Sequence, residues 1–560
     1  MSNSEKKNFI IGVGGTGMRC LETFTHMCAM GLYDGMEFNV LTLDTDYENG
    51  NKGRTEALIE KYNSIKSHGY EDGNGKVNTD SFFSAKINLF KFVTNYSEKE
   101  SNTFKKLTNI AKDEKGQKLA DLFIDDNIQS FNLEHGYRAQ THLGSYLMYH
   151  AFIECARKLK KGDGTVGENE KQLQAFVKGI TNASENARIF VFGSIFGGTG
   201  ASTIPVIPKA LDAFIQIESN KTASLSDKAE FGSTLLTEYF SFKKPTDAQK
   251  KTDGNQVIAD SSFFTLNSQA ALQFYESDPT VRKTYKKMYH VGWPVDAFDF
   301  SKEKNDKETI TGGSTQKNQC HITEFICGCA AWDFFSSEKN NDKNSATYYF
   351  KSFDFDEGNS LNISYEDLLG DPEHGKLFEK KFGNFMSLMH LILSVNRGAD
   401  PTVDAVKGML DNKGGINSVI DNYKTVEKRF TTLLTDYFRS FGYSLNKQQE
   451  FVSGYIYQIK KTVTGRFVLS NDAYSSDTSF LFEKLDPGLL NVNEDKYWNG
   501  SKKGGGMFAS TTTGKDSFDN LLTLMKDVET EPSDEAHNIS THEERLIAHL
   551  YKAIDKSIKS

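Results

Sequence analysis

Two short glycine runs hold the residues of this chain whose types and spacing suit chemistry. They are Gly12-Val13-Gly14-Gly15-Thr16-Gly17 near the start and Gly197-Gly198-Thr199-Gly200-Ala201 further on. Glycine lets a turn take a positive φ and lets backbone approach a ligand closely, and a helix starting just beyond adds free N–H groups and the positive end of its dipole. A phosphate group is the natural guest of such a turn. The first run alone has the G-x-G-x-x-G shape shared by nicotinamide and flavin enzymes, and Asp44 stands where a dinucleotide fold keeps its ribose-binding acid. A dinucleotide site, a mononucleotide site and a bare structural turn all stay open on that run. The second run shifts the balance, because a dinucleotide fold needs one such turn and this chain has two, the second carrying the Thr199 hydroxyl. It lacks the Gly-Lys-Ser/Thr ending of a P-loop, so a Walker-type ATPase is not expected.

Each turn needs a strand before it and a helix after it. Asn8–Val13 reads as a strand, Met18–Met30 as a helix with Cys20, Leu21, Phe24, Met27 and Cys28 at helical spacing, and Glu37–Leu43 as a second strand ending in Asp44-Thr45-Asp46. The unit recurs as strand Ala187–Phe192, the second glycine run and helix Ile204–Ile217. That is an α/β chain with a parallel sheet. Between the units, Tyr47 to about Asn132 is polar, with Glu48–Gly53 and Asp72–Lys76 as loops and a helix near Lys105–Phe123. Leu143–Leu159 reads as a helix, and Lys161–Asn169 as a flexible connection. Downstream come strand Gly232–Phe242, helix Ser262–Glu276, strand Lys287–Gly292, a polar loop Ser301–Asn318 and an apolar helix His321–Phe335. From about Tyr348 the texture turns to charged helices at Lys380–Val395, Val426–Phe441, Gln449–Lys460 and His542–Ile558, with a loop at Asn499–Met507.

Composition sets the limits. At 560 residues, with 38 % hydrophobic and 25 % charged, the chain has ample material for a core and is too apolar for disorder. Net charge is −9, which argues against a chain-wide attraction to nucleic acid or anionic membrane. The apolar start Phe9–Val13 is too brief for a secretory signal, and Ile322–Phe335 is short of a membrane span, so a soluble cytoplasmic protein is expected. Cys20, Cys28, Cys155, Cys320, Cys327 and Cys329 fit no disulfide framework, and Cys320, His321, Cys327 and Cys329 read as core packing in an apolar helix in preference to a zinc site.

With both turns in hand, the chain resembles the tubulin and bacterial division GTPase (FtsZ) superfamily, on its bacterial tubulin-like branch. Gly197-Gly198-Thr199-Gly200-Ala201-Ser202 looks like the family's GGGTGTG signature, with Pro205 where the bacterial branch also has proline. Gly12–Gly17 is similar to its first nucleotide loop, Asp44-Thr45-Asp46 to its second, and Gly136-Tyr137-Arg138 before Gly144 to the third of the large bacterial members. Thr237–Pro245 resembles the strand into the sugar-contacting loop, and Asn318 to Phe335 the central helix whose first turn holds the purine.

The resemblance implies a tubulin/FtsZ-like three-layer nucleotide domain over 1–317 with an insertion at about 47–132, a central helix over 318–335 and an α+β activation or partner region over 336–560. It implies GTP or GDP with Mg²⁺, held by Gly12, Val13, Gly14, Gly15, Thr16, Gly17, Asp44, Asp46, Gly136, Arg138, Gly197, Gly198, Thr199, Gly200, Ala201 and Asn318. It also implies head-to-tail self-assembly, since a contact that does not close gives a filament, and GTP hydrolysis completed by that assembly. Phe196 and Ser202 replace outer glycines of the signature. No catalytic acid is assigned: Glu338 and Asp342 do not match the bacterial acidic loop, and Val295–Asp299 resembles it in spelling but precedes the central helix and reads as a turn. Arg19 reads equally as a phosphate ligand or a solvated helix residue, and Arg138 as a phosphate fork or a surface ion pair. Asp46 reads as orienting metal or water in preference to capping a turn. Two rival functions remain: a non-hydrolysing nucleotide-binding scaffold or sensor recruiting a partner through its C-terminal region, and a dinucleotide enzyme using the first turn alone.

Overall fold

The computed structural model describes residues 6–66, 81–94, 103–133, 136–137, 139–162, 166–220, 222, 224–240, 261–292 and 321–338. Beyond these it describes 347–349, 361–364, 368–370, 372–394, 433–434, 436–437, 459–462, 466–469, 527–528 and 542–559. Strand β1 (Lys7–Val13) runs into α1 (Gly14–Ala29), β2 (Glu37–Asp44), α2 (Gly50–Lys66) and β3 (Lys86–Val93). Short helices α3 (Phe104–Thr108), α4 (Glu114–Phe123) and α5 (Asp126–Ser130) lead to α6 (Thr141–Lys161) and α7 (Glu168–Ala183). Then come β4 (Ala187–Phe192), α8 (Thr199–Thr203), α9 (Ile207–Ser219), α10 (Leu225–Lys228) and β5 (Glu230–Leu236). Next are α11 (Phe264–Ser277), α12 (Pro279–Thr284), β6 (Tyr285–Val291), α13 (Ile322–Ser336) and β7 (Thr347–Tyr349). The remaining described elements are β8 (Leu361–Ser364), α14 (Pro372–Ser394), β9 (Ile459–Thr462), β10 (Arg466–Leu469) and α15 (His542–Lys559).

Seven strands form one sheet in the order β3-β2-β1-β4-β5-β6-β7, every neighbouring pair parallel. Parallel strands need crossovers, and the crossovers place helices on both faces, so central strands are buried on both sides and read as unbroken apolar runs. Successive residues of a strand serve opposite layers. Ile10, Phe190 and Phe192 pack with Leu21, Phe24, Leu58, Phe325 and Phe335 from α1, α2 and α13. Phe9, Ile11, Ile189 and Val191 pack with Phe152, Phe176, Leu211 and Phe214 from α6, α7 and α9. The order reverses between β1 and β4, and an open α/β sheet binds its ligand beyond the carboxyl ends of the strands at such a switch point.

Several expectations change. The expected loop at Glu48–Gly53 runs into α2 from Gly50, and the polar 47–132 stretch supplies β3, which pairs along the whole of β2. The single helix expected at Lys105–Phe123 is two: Asn109 takes φ 52 and ends α3, and the Asp113 carboxylate caps α4 through Lys115 N–H. Helix α7 begins inside the segment expected to be flexible, with Glu170 accepting from Gly167 N–H at 3.0 Å. The first turn's helix begins at Gly14 itself, and helix Ile204–Ile217 is α9, separated from the glycine turn by the five-residue α8. Strand Gly232–Phe242 is β5, which stops at Leu236. Helix Lys380–Val395 starts earlier, at Pro372. Most of Val426–Phe441 and of Gln449–Lys460, and all of 72–76, 301–318 and 499–507, lie outside the described residues; 459 and 460, expected to end a helix, belong to β9.

The sheet continues past residue 336, since β7 pairs with β6. Phe378, Phe382 and Phe385 of α14 and Leu546, Leu550 and Tyr551 of α15 join the same apolar layer as α1 and α13. Lys381 is buried against Asp34 at 2.8 Å, just past the far end of α1. Cys20, Cys28, Cys327 and Cys329 are buried in this layer, as core packing requires, and Cys155 in the opposite one; Cys320 is outside the described residues. Among the described residues no helix is long and apolar enough to cross a membrane.

Candidate functional site

The two glycine turns leave the sheet on either side of the switch point, because β1 and β4 are adjacent and parallel. Val13 ends β1, and Gly14 turns the chain at φ +65, where a side chain would be strained. Helix α1 starts with no side-chain cap, so its first N–H groups, with half-buried Gly15 and Thr16, are left for another acceptor. Gly12 and Gly17 serve packing: a Cβ on Gly12 would overlap Leu21, and one on Gly17 would come within 2.6 Å of Phe192 O. The second turn divides in the same way. Gly197, Gly198 and Thr199 are half-buried, whereas a Cβ on Gly200 would overlap Ser194 O. Buried Ala201 gives its carbonyl to the Tyr275 hydroxyl at 2.7 Å.

The loops meet. A Cβ placed on Gly14 would lie 3.1 Å from Thr199 Cβ. Gly136, at φ +90, lies beside both: a Cβ there would be 3.5 Å from Thr45 Oγ1 and 3.7 Å from Thr199 Oγ1. Gly198 lies under the same segment, its Cβ position 2.8 Å from Ala139 N. Four stretches far apart in sequence thus converge on one spot at the switch point. Thr45, between the two expected aspartates, was not singled out from sequence, although it lies inside the quoted motif. Its hydroxyl is buried and has no hydrogen-bond partner among the described residues.

Asp44 and Asp46 are both buried. Asp44 accepts from Thr45 N–H at 2.7 Å, Asp46 N–H at 3.3 Å and Asn49 Nδ2 at 2.8 Å. Burial, and then the neighbouring Asp46 carboxylate, push the Asp44 carboxyl up to about 7 against the pull of those backbone bonds and of Lys52. Asp46 accepts from Glu48 N–H at 3.0 Å. Three cations among the described residues near the first turn and Asp44 are engaged with carboxylates. Lys52 pairs with Glu56 at 2.8 Å, and Arg54 holds Glu22 through Nε at 2.6 Å and Nη2 at 2.5 Å. Arg19 is neither solvated nor aimed at the cradle: it is buried against Glu324 at 2.6 Å and lies over the Tyr239 ring.

Phe196 and Ser202, which stand where the resembled signature has glycines, each have a packing role. Phe196 is buried among Tyr239, Phe240 and Phe264, with ring centroids 6.1, 5.3 and 4.9 Å away, and ties the second turn to the end of β5. Ser202 faces Gly144 of α6, where a Cβ would come within 2.6 Å of its hydroxyl, and gives its own bond to Thr199 O at 3.0 Å. His321 caps α13, its Nδ1 accepting from Thr323 N–H at 3.2 Å, and Glu324 of that turn accepts from the Tyr239 hydroxyl at 2.6 Å. Arg138, Asn318 and Val295–Asp299 lie outside the described residues.

Fold and site together define a class: a doubly wound parallel α/β protein whose glycine turns meet at the switch point of its sheet. No protein-family model matches the chain, and no curated protein matches it with significant similarity.

Proposed function

We propose that the chain binds the phosphates of a guanine nucleotide between the two glycine turns and is a tubulin-like GTPase that assembles head to tail. The carrying observation is the meeting of Gly14, Thr45, Gly136 and Thr199 beside the uncapped start of α1. Gly136 and Ala139 lie against Thr199 and Gly198, so the segment that carries them shares the site with both turns. The guanine base, the hydrolysis and the assembly rest on the motif resemblance. In this reading the N–H groups of Gly14, Gly15 and Thr16 bind phosphate oxygens, and Thr199 donates its hydroxyl from the opposite wall.

Among the described residues no group of three or more His, Cys, Asp or Glu side chains forms a metal cage. The Asp46 carboxylate and the unpartnered Thr45 hydroxyl are hard oxygen donors of the kind Mg²⁺ takes alongside nucleotide phosphates. The ion would offset phosphate charge beside two carboxyl groups.

Purified full-length chain incubated with GTP, ATP or NAD, with binding, phosphate release and light scattering recorded together, tests the reading. GTP-dependent scattering with phosphate release is the expected result. GTP binding with neither output would mark a nucleotide-binding scaffold, and NAD retention a dinucleotide enzyme. Thr199→Val keeps the side-chain shape and should weaken GTP binding by about tenfold, the loss of one bond to a charged group. Unchanged affinity would sink the assignment of the second turn.

A further inference from the structure

Helix α11 crosses from β5 to β6 and is fixed on its inner face by Phe264 and Tyr275, with Ser268 donating to Glu238 at 2.6 Å and Asn267 to Phe196 O at 3.2 Å. Its outer face carries Leu266, Ala270 and Phe274 at successive four-residue steps, with Phe263 one turn ahead. Phe263 is 54 % exposed, Leu266 60 % and Phe274 49 %. Single exposed apolar residues need no explanation, but an aligned stripe does. A quarter of the chain is charged, yet residues 261–275 contain no charged side chain. A second exposed apolar stripe among the described residues, Leu119, Leu122 and Phe123 on α4, is interleaved with Glu114, Lys118 and Asp121 and lacks this property.

We infer that the α11 stripe is a two-fold contact between two copies of this chain, the helices antiparallel and crossing at Ala270. The inference is independent of the proposed nucleotide site. The size pattern is palindromic about Ala270: the small residue lets the helix axes approach, and a two-fold axis there sets Leu266 of each copy against Phe274 of the other. Charge favours the same arrangement. The chain carries −9, so two copies repel over most of their surface and approach most cheaply where charge is lacking. At about 1.5 Å per residue the helix is roughly 21 Å long, less than a standard interface of about 800 Å² per partner needs, so the dimer is weak.

Sedimentation velocity on the full chain in nucleotide-free buffer, across the micromolar range, should show a reversible monomer–dimer equilibrium. Phe274→Ala should lower the association constant by about tenfold, and Ala270→Arg should leave a monomer. Melting temperature at dilutions where the parent is monomeric should stay close to the parent's for Ala270→Arg, because that side chain lies on the outer face. In a Cys320→Ser background, Ala270→Cys should cross-link into a homodimer with a short bis-maleimide, whereas the Cys320→Ser chain alone should not. A chain monomeric at every concentration overturns the inference, and so does an Ala270→Arg variant that dimerises like the parent. The same holds if the Ala270→Cys thiol fails to cross-link because another segment or a different protein covers it.

Discussion

The two glycine turns look alike in sequence and are held in place by different means. The first is held from behind by its own helix: α1 is 16 residues long and buried along nearly all its length, with Arg19 paired to Glu324 and Thr55 donating to Met18 O at 3.0 Å. The second opens a helix of five residues, too short to anchor anything, and is held by its surroundings. Gly200 packs on the Ser194 backbone, Phe196 plugs the aromatic cluster, and the Tyr275 and Tyr285 hydroxyls donate to Ala201 O and Ile204 O. A glycine signature therefore mixes two kinds of residue. Gly12, Gly17 and Gly200 close the fold, Gly14 and Gly198 let the loops pack on Thr199 and Ala139, and Gly15 and Gly197 stay half-buried.

The anchor of the first turn is the easiest to break. Arg19→Ala leaves Glu324 charged in a buried setting, and removing one partner of such a pair costs about 3–5 kcal/mol. Burial already raises the Glu324 carboxyl, and Arg19 is the first influence holding it down. Without Arg19 the acid takes up a proton more readily, so urea melts should show a larger loss at alkaline than at acid pH. A variant as stable as the parent at both would show that α1 is anchored elsewhere.

Between the turns, Asp44 adds a pH dependence. Its folded value of about 7 lies above the unfolded one of about 4, so the native state keeps a proton that the unfolded chain has lost. Stability therefore falls as pH rises from about 4 to about 7, at up to about 1.4 kcal/mol per pH unit from this group. The same proton should favour nucleotide binding on the acid side, since an ionised Asp44 beside Asp46 repels phosphate. Asp44→Asn should flatten both profiles in thermal melts and binding titrations from about pH 5 to about pH 8. A parent-like slope in the variant would assign the dependence to another group.

A smaller effect separates the two kinds of glycine. Gly200→Ala drives a methyl group into Ser194 O and should cost about 1–3 kcal/mol, whereas Gly197→Ala meets only Ser194 Oγ at 3.6 Å and should stay within about 0.5 kcal/mol of the parent. Nucleotide affinity should fall in both, for different reasons. Equal destabilisation by the two would show that both glycines close the fold.

How far the sequence carried follows the same physics. Asn8–Val13 and Ala187–Phe192 were legible because central parallel strands are apolar on both faces. Strand β3 was not, since Lys86, Asn88 and Lys91 break its run, although the alternation with Ile87 and Leu89 is the mark of an edge strand. Helix α7 hid behind a polar, glycine-bearing lead-in, although Glu170 three residues after Gly167 hints at its start. The motif order pointed to both turns, but the partners of Arg19 and Phe196 lie in other elements, and only topology brings them together. Gly136 was found by resemblance, and its place over Thr45 and Thr199 needed the structure.

Thr45 gives the smallest and most discriminating measurement. Its buried hydroxyl lacks a partner among the described residues, and an unmet buried polar group opposes folding, so Thr45→Val should leave the free protein unchanged or more stable by up to about 1 kcal/mol. The same change removes an oxygen from the point where Asp44-Thr45-Asp46, Gly136 and Thr199 meet, and nucleotide affinity should fall. A hydroxyl kept for packing would give the opposite pair: lost stability and unchanged binding. Thermal melts with and without GTP read both signs at once, because the ligand-induced rise in melting temperature scales with affinity at fixed concentration. A valine variant that is at least as stable alone and gains less from GTP shows that Thr45 serves the ligand and not the fold.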